Sequence, residues 1–196
     1  MEREFFFTSL SLWALIGLIV FIVLLFVTAP YGRHSRKDWG PSIPNRLAWI
    51  IMELPSLLVF SLSFLLGPNG VQPVTWIFFA FYVFHYGNRS ILWPLRTKTA
   101  GKQMPLVIAL LAVLFNLVNG FINGYYFSAF APEYTWEWLY DIRFILGFII
   151  AVFGVFMNWW SDQILLNLRR GGKKGYFVPR GGFFRWVSCP NFFGEI

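Results

Sequence analysis

Apolar residues run in long unbroken stretches along this chain, and polar residues collect in the gaps between them. Crossing a hydrocarbon core takes roughly 20 apolar residues in a helix. Five stretches reach that length, at about residues 9–29, 47–66, 74–94, 105–131 and 140–168. A sixth apolar stretch begins near Phe183 and runs to Ile196. No internal repeat, long linker or low-complexity tract interrupts the pattern. The expected fold is all-α: a polytopic helical membrane bundle of five complete spans and the start of a sixth, one domain over 1–196. The first stretch follows the acidic Glu2 and Glu4 and exceeds the apolar core of a signal peptide, so it reads as a retained span.

The polar gaps alternate in charge. The first holds Arg33, Arg36, Lys37 and Arg46, and the third holds Arg96, Lys98 and Lys102. The segment after the fifth stretch holds Arg169, Arg170, Lys173, Lys174, Arg180 and Arg185. The second gap, GPNGVQP, has no charge, and the fourth, APEYTWEW, has only Glu133 and Glu137. The positive-inside rule puts the basic gaps in the cytoplasm and the N-terminus on the other side.

Composition agrees with lipid as the solvent. Hydrophobic residues make up 57% of the 196 and charged residues 13%, where a soluble domain carries about 25% charged. The 24 Phe and 10 Trp suit lipid-facing surfaces and interfaces. The net charge of +7 lies in clusters beside spans, which points to orientation and to anionic lipid or phosphate; no nucleic-acid partner is expected. The single Cys189 excludes an intrachain disulfide and a multi-Cys metal site, and no HExxH motif is present, so no metal is expected.

Ionisable groups inside spans are costly and point to function. Glu53, in WIIMELPSLL, lies about seven residues past Arg46, roughly 10 Å from the cytoplasmic edge at the helical rise. His85, Tyr86, Asn88 and Arg89 sit in the third span, Tyr86 at roughly 15 Å depth or less. Asn158 and Asp162 lie near the cytoplasmic end of the fifth. Three spans thus put polar groups in one half of the bilayer, and a polar cavity open to the cytoplasm is expected. Asn116, Asn119 and Asn123 share a helical face, with interhelical hydrogen bonding preferred over ligand contact. Asp141 and Arg143 read as a structural ion pair on the far side, and His85 as an interior hydrogen-bonded residue. For Glu53 and Tyr86 a buried polar pair that only ties helices stands level with a functional one. A protonated carboxyl beside a phenol puts two donors on one oxygen, which polarises a carbonyl and stabilises an enolate. The basic, glycine-rich segment matches neither GxGxxG nor GxxxxGK(S/T).

The strings MELPS, FHYGNR, NGYY, DIRFILG, NWWSD, LRRGGKKGYFVPRGG and NFFGEI stand in the order and spacing of the steroid 5α-reductase family (3-oxo-5α-steroid 4-dehydrogenases). The chain resembles that family from its second span to its end. The resemblance implies a multi-span enzyme that takes NADPH from the cytoplasmic side without a Rossmann domain. Hydride would pass to C5 of a Δ4-3-ketosteroid, with a proton added at C4. It implies that Glu53 and Tyr86 bind the C3 carbonyl oxygen, and that Asn158, Asp162, Arg169, Tyr176, Asn191 and Glu195 hold the cofactor, the basic segment at about 169–185 forming its loop. Arg89 and Asn119 would be additional site residues. The implied partners are a steroid or other lipid enone and membrane lipid, with the protein a monomer.

Two departures stand out: Met52 replaces the Gln that often precedes the ELP glutamate, and PLVIALLAVLF lacks the basic residue of some mammalian members. The family continues past NFFGEI with two more apolar helices, seven in all, and a tail with further cofactor contacts. The chain is therefore expected to be C-terminally incomplete and, alone, to bind NADPH weakly. Two alternatives remain open: an enoyl or polyprenol reductase of the same superfamily, and a non-catalytic helical membrane protein.

Overall fold

The computed structural model describes every residue except 35, 70, 100 and 169–176. In chain order come α1 (Arg3–Phe26), β1 (Ser42–Pro44), α2 (Asn45–Leu65), α3 (Trp76–Gly87), a π-helical turn (Asn88–Leu92), α4 (Trp93–Arg96), β2 (Gln103–Pro105), α5 (Leu106–Ala129), α6 (Ile142–Asn167) and α7 (Pro190–Phe193). Of these, α1, α2, α5 and α6 are each long and apolar enough to cross a membrane. The chain is an integral membrane protein with an all-α architecture, the two strands being three residues each.

The third apolar stretch is one helical run through α3, the π turn and α4 rather than a single α-helix. Pro94 has no N–H to give the Ser90 carbonyl four residues back, so the α-type ladder is already open there. The Trp93 N–H reaches the Asn88 carbonyl instead, and the Ser90 hydroxyl donates to the Tyr86 carbonyl at 2.6 Å. Single π turns inside helices are frequent at functional sites.

The described chain divides into two compact units, Met1–Leu95 with Thr99–Pro132, and Arg96–Lys98 with Glu133–Ile196. In the first, β1 pairs antiparallel with β2, Ile43 opposite Met104. The strands lead into α2 and α5, which run parallel, Met52 meeting Asn116, Ser56 meeting Gly120 and Phe60 meeting Gly124. Their seam is made of small residues: a Cβ at Gly120 would lie 2.7 Å from the Ser56 carbonyl oxygen, and one at Gly124 would lie 2.5 Å from that of Phe60. Backbones this close give up side-chain volume for van der Waals contact, which is what drives helix association in lipid. On the other side of α2, Phe60 and Phe64 pack on Phe79 of α3, and Phe60 stacks on Tyr82 at 3.7 Å. The first helix touches α5 through Phe6 on Tyr125 and Trp13 on Phe115, and most of its remaining surface is exposed, as a lipid-facing helix requires.

The second unit is built on α6. Asp141 caps it, accepting from the Arg143 N–H at 2.8 Å and forming an ion pair with the same residue's guanidinium at 2.7 Å. Those bonds hold the Asp141 carboxyl down to about 2. Midway along α6, Gly154 meets Gly194, the residue after α7, backbone to backbone. Phe183 packs edge-on against Phe153, Phe156 and Trp160.

Candidate active site

Within the first unit, α2, α3, the π turn and α5 bring the residues singled out from sequence together in two pairs, Glu53 with Arg89 and Tyr86 with Asn119. Glu53 of α2 faces Arg89 of the π turn, with an oxygen 4.0 Å from the guanidinium. Both side chains are largely buried, 14% and 6% exposed. The separation is that of a loose ion pair, longer than a hydrogen bond. Trp49, one turn before Glu53, lies under the same guanidinium at 5.0 Å from its ring centre. Arg89 therefore has a carboxylate on one side and an aromatic face on another, which offsets part of the cost of burying its charge.

Tyr86 of α3 is held by Asn119 of α5, whose side-chain N–H donates to the Tyr86 hydroxyl at 2.8 Å. The same amide reaches the Tyr82 hydroxyl at 3.1 Å and the Ser56 hydroxyl at 3.3 Å. The Tyr82 and Ser56 hydroxyls are themselves 2.7 Å apart. One helical turn separates Tyr82 from Tyr86, and their rings stack at 4.6 Å. His85 meets the Tyr86 ring edge-on at 5.0 Å. Of the three Asn on α5, Asn116 donates to the Met52 carbonyl of α2 at 2.7 Å, and Asn123 donates to the Asn119 side-chain oxygen at 3.1 Å. A cleft of about 260 Å³ opens between α1 and α5, with Trp13 and Phe6 on one wall and Asn119 and Asn123 on the other.

In the second unit a different polar cluster forms. Asn158 of α6 donates to the Asn191 carbonyl at 2.9 Å and to the Glu195 carboxylate at 2.7 Å. Asn191 in turn donates to Asp162 at 3.1 Å. Asn158, Asp162 and Asn191 are all buried, while Glu195 is exposed. Ser161 is buried between them in sequence, and its hydroxyl oxygen has no hydrogen-bond partner. Close by, Arg96 donates to Gln163 at 2.7 Å and lies over the Trp159 ring. Arg169 and Tyr176 fall outside the described residues. Among those described, no group of three or more metal-ligating side chains occurs.

Sequence reading alone did not single out Tyr82, Ser56, Trp49 or Ser161. Two of them had a usable signal: Tyr82 stands four residues before Tyr86 and Ser56 three after Glu53, so each shares a face with a residue already marked.

A family model described as 3-oxo-5-alpha-steroid 4-dehydrogenase matches residues 102–196. The chain is 40% identical to the steroid 5-alpha-reductase DET2 of Gossypium hirsutum over 198 residues, covering all of this chain and 76% of that protein. It is 37% identical to the 3-oxo-5-alpha-steroid 4-dehydrogenase 1 of Bos taurus, across 92% of this chain and 71% of the relative. The protein of the same name from Homo sapiens is 36% identical, across 92% of this chain and 70% of that one.

Proposed function

Because this chain belongs to the steroid 5α-reductase family, we propose that it reduces the conjugated C4–C5 double bond of a 3-oxo-Δ4-steroid, using NADPH, with the cofactor side in the cytoplasm and the N-terminus opposite. When bound, NADPH supplies a hydride, which this chemistry delivers to C5. The electron pair of the double bond then moves toward C3, negative charge builds on the carbonyl oxygen, and a proton added at C4 gives the saturated ketone. The task for the protein is to stabilise that oxygen. Glu53, protonated once the ketone is bound beside it, and the Tyr86 hydroxyl each donate to it, and donors positioned before the charge develops lower the barrier with little reorganisation. Arg89, 4.0 Å from Glu53, holds the carboxyl in place.

The observations that carry this reading are a half-buried acid, Glu53, facing the buried cation Arg89, and a phenol, Tyr86, held by Asn119 three residues before Arg89 on the same helical run, in a chain with these relatives. The second cluster fits a nicotinamide carboxamide. It combines amide donors with carboxylate acceptors, and it leaves the buried Ser161 hydroxyl to be satisfied. Asn158, Asp162, Asn191 and Glu195 would hold the cofactor there, with Arg169 and Tyr176 of the basic loop.

The test is NADPH oxidation by the protein in lipid nanodiscs with a 3-oxo-Δ4-steroid and, separately, with acyl and polyprenyl enones. Faster turnover of the steroid, with deuterium from labelled cofactor recovered at C5, is expected. Preference for the other enones would move the substrate class, and neither turnover nor binding of any enone would reject the enzyme reading.

A further inference from the structure

The amide of Asn119 carries two hydrogens, and three oxygens surround it. The shortest contact, 2.8 Å, is to Tyr86, while Tyr82 at 3.1 Å and Ser56 at 3.3 Å share the other side. A phenol oxygen that accepts from an amide cannot point its own hydrogen at that amide. The Tyr86 hydroxyl hydrogen is therefore directed away from the Asn119 amide. Flipping the Asn119 amide would reverse this, and Asn123 opposes the flip. Its side-chain N–H donates to the Asn119 side-chain oxygen at 3.1 Å and to the Asn119 backbone carbonyl at 2.9 Å. A flipped Asn119 would set two N–H groups face to face.

Tyr82 completes the arrangement. Its hydroxyl lies 2.7 Å from that of Ser56 on α2, where either oxygen can donate, and its own oxygen takes up the second Asn119 hydrogen. Stacking between Phe60 and Tyr86 fixes the ring. With that hydrogen occupied, Asn119 is not drawn off Tyr86.

We propose that Asn123 and Asn119 form a one-way hydrogen-bond relay that sets the Tyr86 hydroxyl as a donor toward the ligand, with Tyr82 and Ser56 pinning the amide that does it. The proposal rests on the reading of Tyr86 as a carbonyl donor and adds four positioning residues to it: Asn119, Asn123, Tyr82 and Ser56. None of them needs to touch the substrate oxygen. Loss of the relay changes how often the donor points the right way, so it acts on kcat and leaves KM nearly unchanged.

Steady-state kinetics on Asn119→Leu, Asn123→Leu, their double variant, Tyr82→Phe and Tyr86→Phe test this, with a 3-oxo-Δ4-steroid as probe. We expect kcat to fall about 30-fold for Asn119→Leu and about 5-fold for Asn123→Leu, as misoriented donors do. Because the second residue acts through the first, the double variant should lose about 30-fold and not the roughly 150-fold of independent effects. Tyr82→Phe keeps the ring stack and folding, and should cost about 3-fold in kcat. Multiplicative losses, losses confined to KM, or full activity of both Asn123→Leu and Tyr82→Phe would overturn the relay. Tyr86→Phe separates the two levels: if it alone leaves turnover intact, the carbonyl reading falls and the relay with it. If Tyr86→Phe is impaired while the relay variants are not, only the relay falls.

Discussion

Glu53 shares its burial with a cation, and this decides what a substitution there reports. Removing the carboxyl altogether would strand Arg89, whose side chain is only 6% exposed, and would confound folding with chemistry. Glu53→Gln avoids most of that, since it keeps the shape, an acceptor for Arg89 and a hydrogen-bond donor. It gives up the ability to supply a proton. We expect near-normal expression and thermal stability, with kcat down by about 100-fold or more, the range of a lost general acid; a turnover number equal to the parent's would remove Glu53 from the mechanism. At this scale the sequence is informative where a side chain is out of place. A carboxylate, an amide or a guanidinium in an apolar run is conspicuous, which is why Glu53, Arg89, Asn119, Asn158 and Asp162 stand out unaided. Tyr82 and Ser56 do not, because a phenol or a hydroxyl is ordinary in a span. Their part depends on which helices become neighbours.

Between residue and fold lie the helices, and here the seam of α2 with α5 is the controlling contact. Gly120→Leu would place its Cβ 2.7 Å from the Ser56 carbonyl oxygen, against backbone that has no rotamer to yield. The helices would have to part, at a cost of about 1–3 kcal/mol or more. Gly147→Ala on α6 is the matched control, since a Cβ there meets nothing within 4 Å. A lower Tm for the first and an unchanged or higher one for the second is expected in the same detergent. The start of α6 offers a pH test. Asp141 titrates at about 2, below its ordinary 3.8, because the Arg143 side chain and amide bond its charged form. A depressed carboxylate stabilises the fold above the ordinary value, so the cap is complete above about pH 4 and is lost as pH falls toward 2. The protection factor of the Arg143 amide, taken against the intrinsic exchange rate at each pH, should fall across that window, and a constant one would show that the cap is not what protects it. Helix positions follow from apolar run length, and hence are readable in advance. The π turn is not, because the apolar pattern is the same whether the ladder skips four residues or five. Nor is the β1–β2 pairing, which joins two polar gaps far apart in sequence.

For the molecule in its membrane, sidedness is the property that charge alone encodes. The alternation of basic and neutral gaps predicts that the apolar stretch from Phe183, which contains Cys189, starts from the cytoplasmic side. Cys189 is the single cysteine and is exposed. A membrane-impermeant maleimide should leave it unlabelled in intact cells and label it once they are permeabilised. Labelling from outside would invert the orientation. The pairing of α2 with α5 has a further consequence, for synthesis. A ribosome delivers the second span well before the fifth helix exists, so the close partner of α2 is missing when it enters the bilayer. It is also the least apolar of the four long helices. The next helical run to emerge carries Arg89, the counter-charge of Glu53. The order of translation thus supplies the acid with its cation first, and the amides of α5 come afterwards to a hairpin already neutralised.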